Sequence, residues 1–331
     1  MTVFVGALLV GRVAYGVIEK VMWFVAIFTL VGLVWACTHP DILKVIPEFS
    51  SGLIWPQWPE GRVWDPKDAT KLLTAITFAG LGGFWTLFYS YWLREKGAGM
   101  ASHMGQITSP ITGHLQQIPL VGFRPKQEPQ LQSKWRQWQR YLLVDSGIGI
   151  GGNLLTTLMT CLLAYALLFP EGLLPQKYEI AVVQARFFEV QWGIMGRILF
   201  LLVAAAFLAD TWLATVDAVA RIHTDVLLSY FKRARAKSAR WWYFLLVGFL
   251  TTVTGVTMLF DAPGPLILLS AVIGFLGTVL FTGALLLVIY KLLPQMVPTE
   301  LRSGKFALAA LSTSYAAYLL LAAAYLWTVF R

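Results

Sequence analysis

The sequence predicts an all-α polytopic membrane protein with about seven transmembrane helices, and three observations carry that prediction. Of 331 residues, 57% are apolar types and 13% are charged, with a mean hydropathy of +0.66. Soluble domains hold roughly 45–50% apolar and about 25% charged residues, so a water-soluble fold could not hide this many apolar side chains. The apolar residues fall in runs long enough to cross the hydrocarbon, which takes about 20 helical residues. Finally, Lys and Arg collect on one side of those runs.

Seven stretches qualify as spans: 21–38, 70–93, 144–169, 194–220, 241–260, 265–290 and 306–330. The apolar piece Thr2–Val10 is too short to span, and Arg12 follows it, so it does not read as a signal peptide. It reads as the tail of a helix that starts upstream. With a cytosolic N-terminus, the inside segments hold Arg12 and Lys20, then seven cations in 94–143, six in 221–240 and three in 291–305. That is 18 of 26, an inside excess that puts Arg331 and the C-terminus outside. The net charge of +9 is thereby explained by topology and anionic lipid, and no nucleic acid is needed.

The outer loop 39–69 holds Trp55, Trp58 and Trp64, suited to an interfacial belt, and Pro47, Pro56, Pro59 and Pro66, which predict irregular structure. In 70–93, Gly80, Gly82 and Gly83 fall in four mid-span positions. Each glycine costs a helix roughly 1 kcal/mol relative to alanine. Such a cluster either breaks a helix at a midplane substrate site or smooths a face for close packing. Thr77, Thr86 and Ser90 add polar oxygens nearby and favour a site lining the substrate path. The cytosolic loop 97–143 is basic and Gln-rich. Its end, Trp135-Arg136-Gln137-Trp138-Gln139-Arg140-Tyr141, reads as a membrane anchor rather than an RNA-stacking surface.

The third span opens Asp145-Ser146-Gly147-Ile148-Gly149-Ile150-Gly151-Gly152-Asn153. No strand precedes it and a span follows, so it is read as packing glycines and not as a dinucleotide loop. Asn153 lies deeper and needs a partner. In the fourth span, Asp210 sits near mid-membrane, where an Asp costs roughly 2.5–3.5 kcal/mol to insert. It must face protein or water. It reads either as a proton or ion relay or as a structural hydrogen-bonding group, for instance to Asn153 or a tyrosine. Asp217, Arg221 and Asp225 follow at four-residue spacing and permit an ion-pair ladder, read as a helix anchor or as part of the relay. Cys37 and Cys161 lie in apolar runs and make neither a disulfide framework nor a zinc site. His39, His103, His114 and His223 are scattered, so no nucleophile–base or metal cluster assembles, and neither an enzyme nor a cofactor is expected.

One motif resembles a known family. Gly82-Gly83 through Gly97-Ala98-Gly99-Met100, with Tyr89-Ser90-Tyr91-Trp92-Leu93-Arg94-Glu95-Lys96 between, is similar to a divergent bacterial branch of the Nramp divalent metal ion transporters. Gly11-Arg12 with Ile18-Glu19-Lys20 resembles the junction of that family's fourth and fifth helices. Leu292-Leu293-Pro294 and the Pro298 to Arg302 stretch resemble the turn before its last helix. The resemblance implies a LeuT-like fold, with the seven spans as helices five to eleven. Residues 1–69 would be a helix remnant, a span and an outer loop, 70–290 the second inverted five-helix repeat with its first helix broken, and 291–331 the last span. It implies an inner-membrane transporter moving a divalent metal ion or another small solute, with or without proton coupling. The family's Asp-Pro-Gly-Asn site has no counterpart here, and its Met-Pro-His falls at Gly83, Phe84 and Trp85. The ligands expected are therefore carbonyl and hydroxyl oxygens, which suit a harder ion. The competing expectation is a non-transporting membrane module, or a half-transporter that needs a missing N-terminal half or partner chain.

Overall fold

The computed structural model describes residues 6, 14–55, 66–78, 84–120, 130–173, 179–260 and 263–330. It is all-helical, with no strand among the described residues. Five helices are long and apolar enough to cross a membrane: Leu131–Leu167, Arg186–Tyr230, Ala239–Leu259, Pro265–Met296 and Lys305–Thr328. The bent pair Met22–Cys37 and Pro40–Ile54 makes a sixth if counted as one span. Five of the seven expected stretches correspond to these helices, 21–38 to the first arm of the bent pair, and 70–93 to none of them. The 70–93 stretch contains α3 (Pro66–Phe78) and α4 (Phe84–Glu95), each too short to span. Residues 79–83 between them, with Gly80, Gly82 and Gly83, lie outside the described residues.

The chain divides into two compact units. The first comprises residues 1–58, 88–122 and 155–264. In it, α1 (Ala14–Cys37) turns through 90° into α2 (Pro40–Ile54). Over residues 40–54 this helix replaces the irregular structure expected from the prolines, while Pro56, Trp58, Pro59 and Trp64 lie outside the described residues. Pro40 sits in the first turn, where a missing N–H costs nothing, and His39 Nδ1 accepts from the Asp41 N–H at 3.4 Å. Pro47 is tolerated inside α2 because the helix is anchored by buried Ile42 while Leu43, Ile54 and Trp55 face outward.

The second part of α5 (Leu131–Leu167), the short α6 (Ile180–Gln184), α7 (Arg186–Tyr230) and α8 (Ala239–Phe260) complete this unit. Two cores hold it together. One gathers Leu33, Ile42, Leu163, Phe187 and Phe188, the other Ile107, Leu213, Val216, Tyr243 and Val247. Gly193 interrupts α7 at φ 56°, ψ −141°, a conformation almost confined to glycine. The 186–192 segment thus folds back on the helix. A Cβ at Gly196 would lie 2.2 Å from the Phe188 carbonyl oxygen, and one at Gly32 would lie 2.4 Å from the Phe188 ring.

The second unit comprises residues 59–87, 123–154 and 265–331. Here α3 packs with α9 (Pro263–Leu287) and α11 (Lys305–Phe330) through Leu73, Phe275 and Ala322. A π-helical turn (Val288–Leu292) and the short α10 (Leu293–Met296) follow α9. Helix α5 begins at Leu131, so the aromatic–cationic segment read as the end of a loop is helical. No glycine or proline interrupts 131–146 to stop it. Within the second unit, the third span's glycines face no described neighbour. A Cβ at Gly147, Gly149 or Gly151 would meet nothing within 4 Å among the described residues. Both units expose large apolar side chains outward, such as Leu280 at 76% and Phe249 at 62%, as a lipid-facing surface requires.

Candidate functional site

Helix α7 carries a polar stripe through an otherwise apolar span. Asp210, Asp217, Arg221 and Thr224 are all buried, at heptad-like spacings that keep them on one face. Intramembrane charges must be paired, or must face water or a passing ion, and the stripe holds both situations.

At its densest point the Arg221 side chain, fully buried, is held between two carboxylates. Its Nε donates to Asp217 Oδ1 at 3.0 Å and Oδ2 at 2.9 Å, and Nη2 lies 2.9 Å from Oδ1. Its Nη1 lies 2.8 Å from Glu95 Oε1, where α4 ends. The two Nη contacts are ion pairs without hydrogen-bond alignment. Tyr243 of α8 donates its hydroxyl to Asp217 Oδ1 at 2.5 Å, and its ring lies beside the guanidinium, 5.1 Å from Cζ to ring centroid. Trp92 Nε1 donates to Asp217 Oδ2 at 3.0 Å. The formal charge of the three ionic groups sums to −1.

The loop after α4 closes over this cluster. Glu95 Oε2 accepts from the Ile107 N–H at 3.1 Å, and the Glu95 carbonyl oxygen accepts from Gln106 Nε2. Arg240 Nη1 donates to the carbonyl oxygens of Ser109 at 3.2 Å and Gly113 at 2.9 Å. Ile107, Thr108 and Ser109 are buried although they belong to a loop. A buried ion pair is costly unless its remaining lone pairs are satisfied, and the Ile107 amide, Tyr243 and Trp92 supply that.

Two turns earlier on α7, Asp210 is 6% exposed, and its Oδ1 has no hydrogen-bond partner among the described residues. Thr224 Oγ1 is likewise buried without a partner.

The predicted residues therefore separate. Asp217 and Arg221 pair as the spacing suggests, but Asp225 does not continue the ladder. It accepts a hydrogen bond from Tyr91 at 2.5 Å, because Glu95 occupies the far side of the guanidinium. Thr77, in the second unit, donates to the backbone carbonyls of Leu73 at 2.7 Å and Ala271 at 3.3 Å, so its hydroxyl proton serves the α3–α9 contact. Thr86 and Ser90 lie on the exposed side of α4. Asp145 and Asn153 lie at exposed positions of α5 within the second unit. Among the described residues, no group of three or more His, Cys, Asp or Glu side chains could hold a metal ion.

Sequence reasoning missed Glu95, Trp92 and Tyr243 as members of the network. Glu95 stands in Arg94-Glu95-Lys96, which has the look of a solvated helix end. Tyr243 stands in an aromatic run that suits an interfacial belt. The one available signal was the excess of carboxylates around Arg221. Comparison with protein-family models, curated proteins and solved structures finds no match.

Proposed function

We propose that this chain is a multi-pass transporter of Nramp-like descent in a bacterial inner membrane. It moves a divalent metal ion or another small solute, with α7 lining the path. The observation that supports this reading most directly is Asp210. A carboxylate buried near the middle of a spanning helix, with one oxygen unpartnered, is the arrangement that a passing cation or proton completes. Oxygen ligation suits a hard divalent ion better than a soft one. The Glu95–Arg221–Asp217 cluster serves as the fixed post against which the path is built. The resemblance around residues 82–100 implies a substrate path along Thr77, Gly80, Gly82, Gly83, Thr86 and Ser90. The distribution of Lys and Arg puts the 97–143 segment on the cytosolic side and the C-terminus outside.

Uptake of a panel of divalent ions into proteoliposomes tests the proposal. The expected result is saturable uptake of at least one ion that falls by about 10-fold or more in Asp210→Asn, the loss typical of a direct ligand to the moving charge. Full uptake by Asp210→Asn removes this residue from the mechanism. No uptake of any ion by the unaltered chain removes the metal reading.

A further inference from the structure

Where the first unit's helices meet around the α7 kink, a second charged site stands apart from the network. A cavity of about 300 Å³ is lined by Leu167, Glu171, Arg186, Glu189, Val190 and Arg197. It adjoins a smaller apolar lobe of about 170 Å³, formed by Leu173, Val182 and Val183 and sharing Arg186, Glu189 and Arg197. Arg186 and Glu171 pair with each other. Among the described residues, Glu189 and Arg197 form no ion pair or hydrogen bond through their side chains.

The site is built, not incidental. The backbone at Gly193 reverses the chain and sets the turn carrying Glu189 against the turn carrying Arg197. The reversed segment is pinned. Phe188 is fully buried against Gly32, and Gln191 Nε2 donates to the Trp35 carbonyl oxygen at 2.9 Å. Trp192 stacks on Trp35 with ring centroids 6.3 Å apart. The backbone positions that carry one half-buried anion and one exposed cation are thus fixed beside one cavity, next to an apolar lobe.

We propose that this cavity binds a zwitterion bearing a primary ammonium and an anionic group a few atoms apart. The ammonium meets Glu189 and the anion meets Arg197, whose guanidinium matches the geometry of a phosphate or carboxylate. Arg197 lies one turn into the spanning part of α7, and Ile194, Met195 and Ile198 beside it are exposed apolar side chains suited to acyl chains. An ethanolamine phospholipid headgroup offers this chemistry from the membrane, and a free amino acid offers it from water.

Thermal unfolding of the full chain in detergent, with added ligand, tests the inference. Ethanolamine phospholipid is expected to raise the melting temperature by roughly 3 °C near saturation. The choline lipid, whose quaternary nitrogen donates no hydrogen bond, and the glycerol lipid, which lacks the ammonium, should give less than half that shift. Glu189→Gln and Arg197→Gln should each abolish the difference. Val182→Trp, which fills the apolar lobe and leaves both charges in place, should weaken it. Free leucine or phosphoethanolamine giving the same saturable, variant-sensitive shift assigns the site to a water-borne zwitterion. Equal shifts from all three lipids with none from the free zwitterions, or a preference that survives in both Gln variants, overturns the proposal. Each variant is first checked for unchanged helicity and a single elution peak, and if neither Gln variant folds, an undiminished preference in Val182→Trp overturns it.

Discussion

Asp217 and Asp210 lie seven residues apart on one face of α7, a rise of about 10 Å, and their surroundings are opposite. Asp217 is completely buried and accepts from Arg221, Tyr243 and Trp92, so each of its oxygens has more than one donor. Asp210 is nearly as buried, yet Oδ1 has none. The difference lies in what faces each turn of the helix. At Asp217 two elements converge with polar groups: α4 through Trp92 and the start of α8 through Tyr243. At Asp210 no such donor reaches Oδ1 among the described residues. One carboxylate contributes to folding, whereas the other is left with unused capacity in a place where unused capacity is costly.

The comparison is tested most severely at Arg221. Arg221→Ala leaves Glu95 and Asp217 buried together without a cation, and the expected loss is about 3–5 kcal/mol of stability. In detergent this reads as a sharply lower melting temperature or failure to fold, whereas a small change would mean that water reaches the cluster. Next comes the matched pair of carboxamide variants. Asp217→Asn disturbs a carboxylate with three donor groups and should cost on the order of 2–3 kcal/mol. Asp210→Asn should change stability by less than about 1 kcal/mol, since Oδ1 has no partner to lose. Equal melting temperatures for the two variants would erase the distinction. The smallest effect is expected at the edge of the network. Tyr91→Phe removes one hydrogen bond to half-buried Asp225 and should cost about 1 kcal/mol. A cost near that of Arg221→Ala would instead place Asp225 inside the cluster.

Much of this was legible in the residue pattern, and the part that was not has identifiable causes. Helix α7 announces itself through a long apolar run, and the Asp217–Arg221 pair follows from four-residue spacing, because both are local properties of one helix. Asp210 stands out for the same reason, as a lone carboxylate in an apolar span. The partners of Arg221 beyond Asp217 depend on which elements come together. Glu95 is more than 100 positions away along the chain, in a sequence context that resembles solvated charge. Helix α2 was obscured because proline composition weighed against it, while the packing of Ile42 outweighed Pro47. The reversal at Gly193 was unmarked, since a single glycine in an apolar run is usually tolerated inside a helix.

The cover formed by residues 105–113 has a kinetic consequence. A surface connection normally exchanges its amide hydrogens within seconds, because its opening costs almost nothing. The Ile107 amide is bonded to a carboxylate that is itself held by a buried guanidinium, so releasing it strips a donor from a buried charge. Its deuterium uptake should therefore be as slow as that of the helical interior, which makes this short stretch of coil a rigid part of the frame.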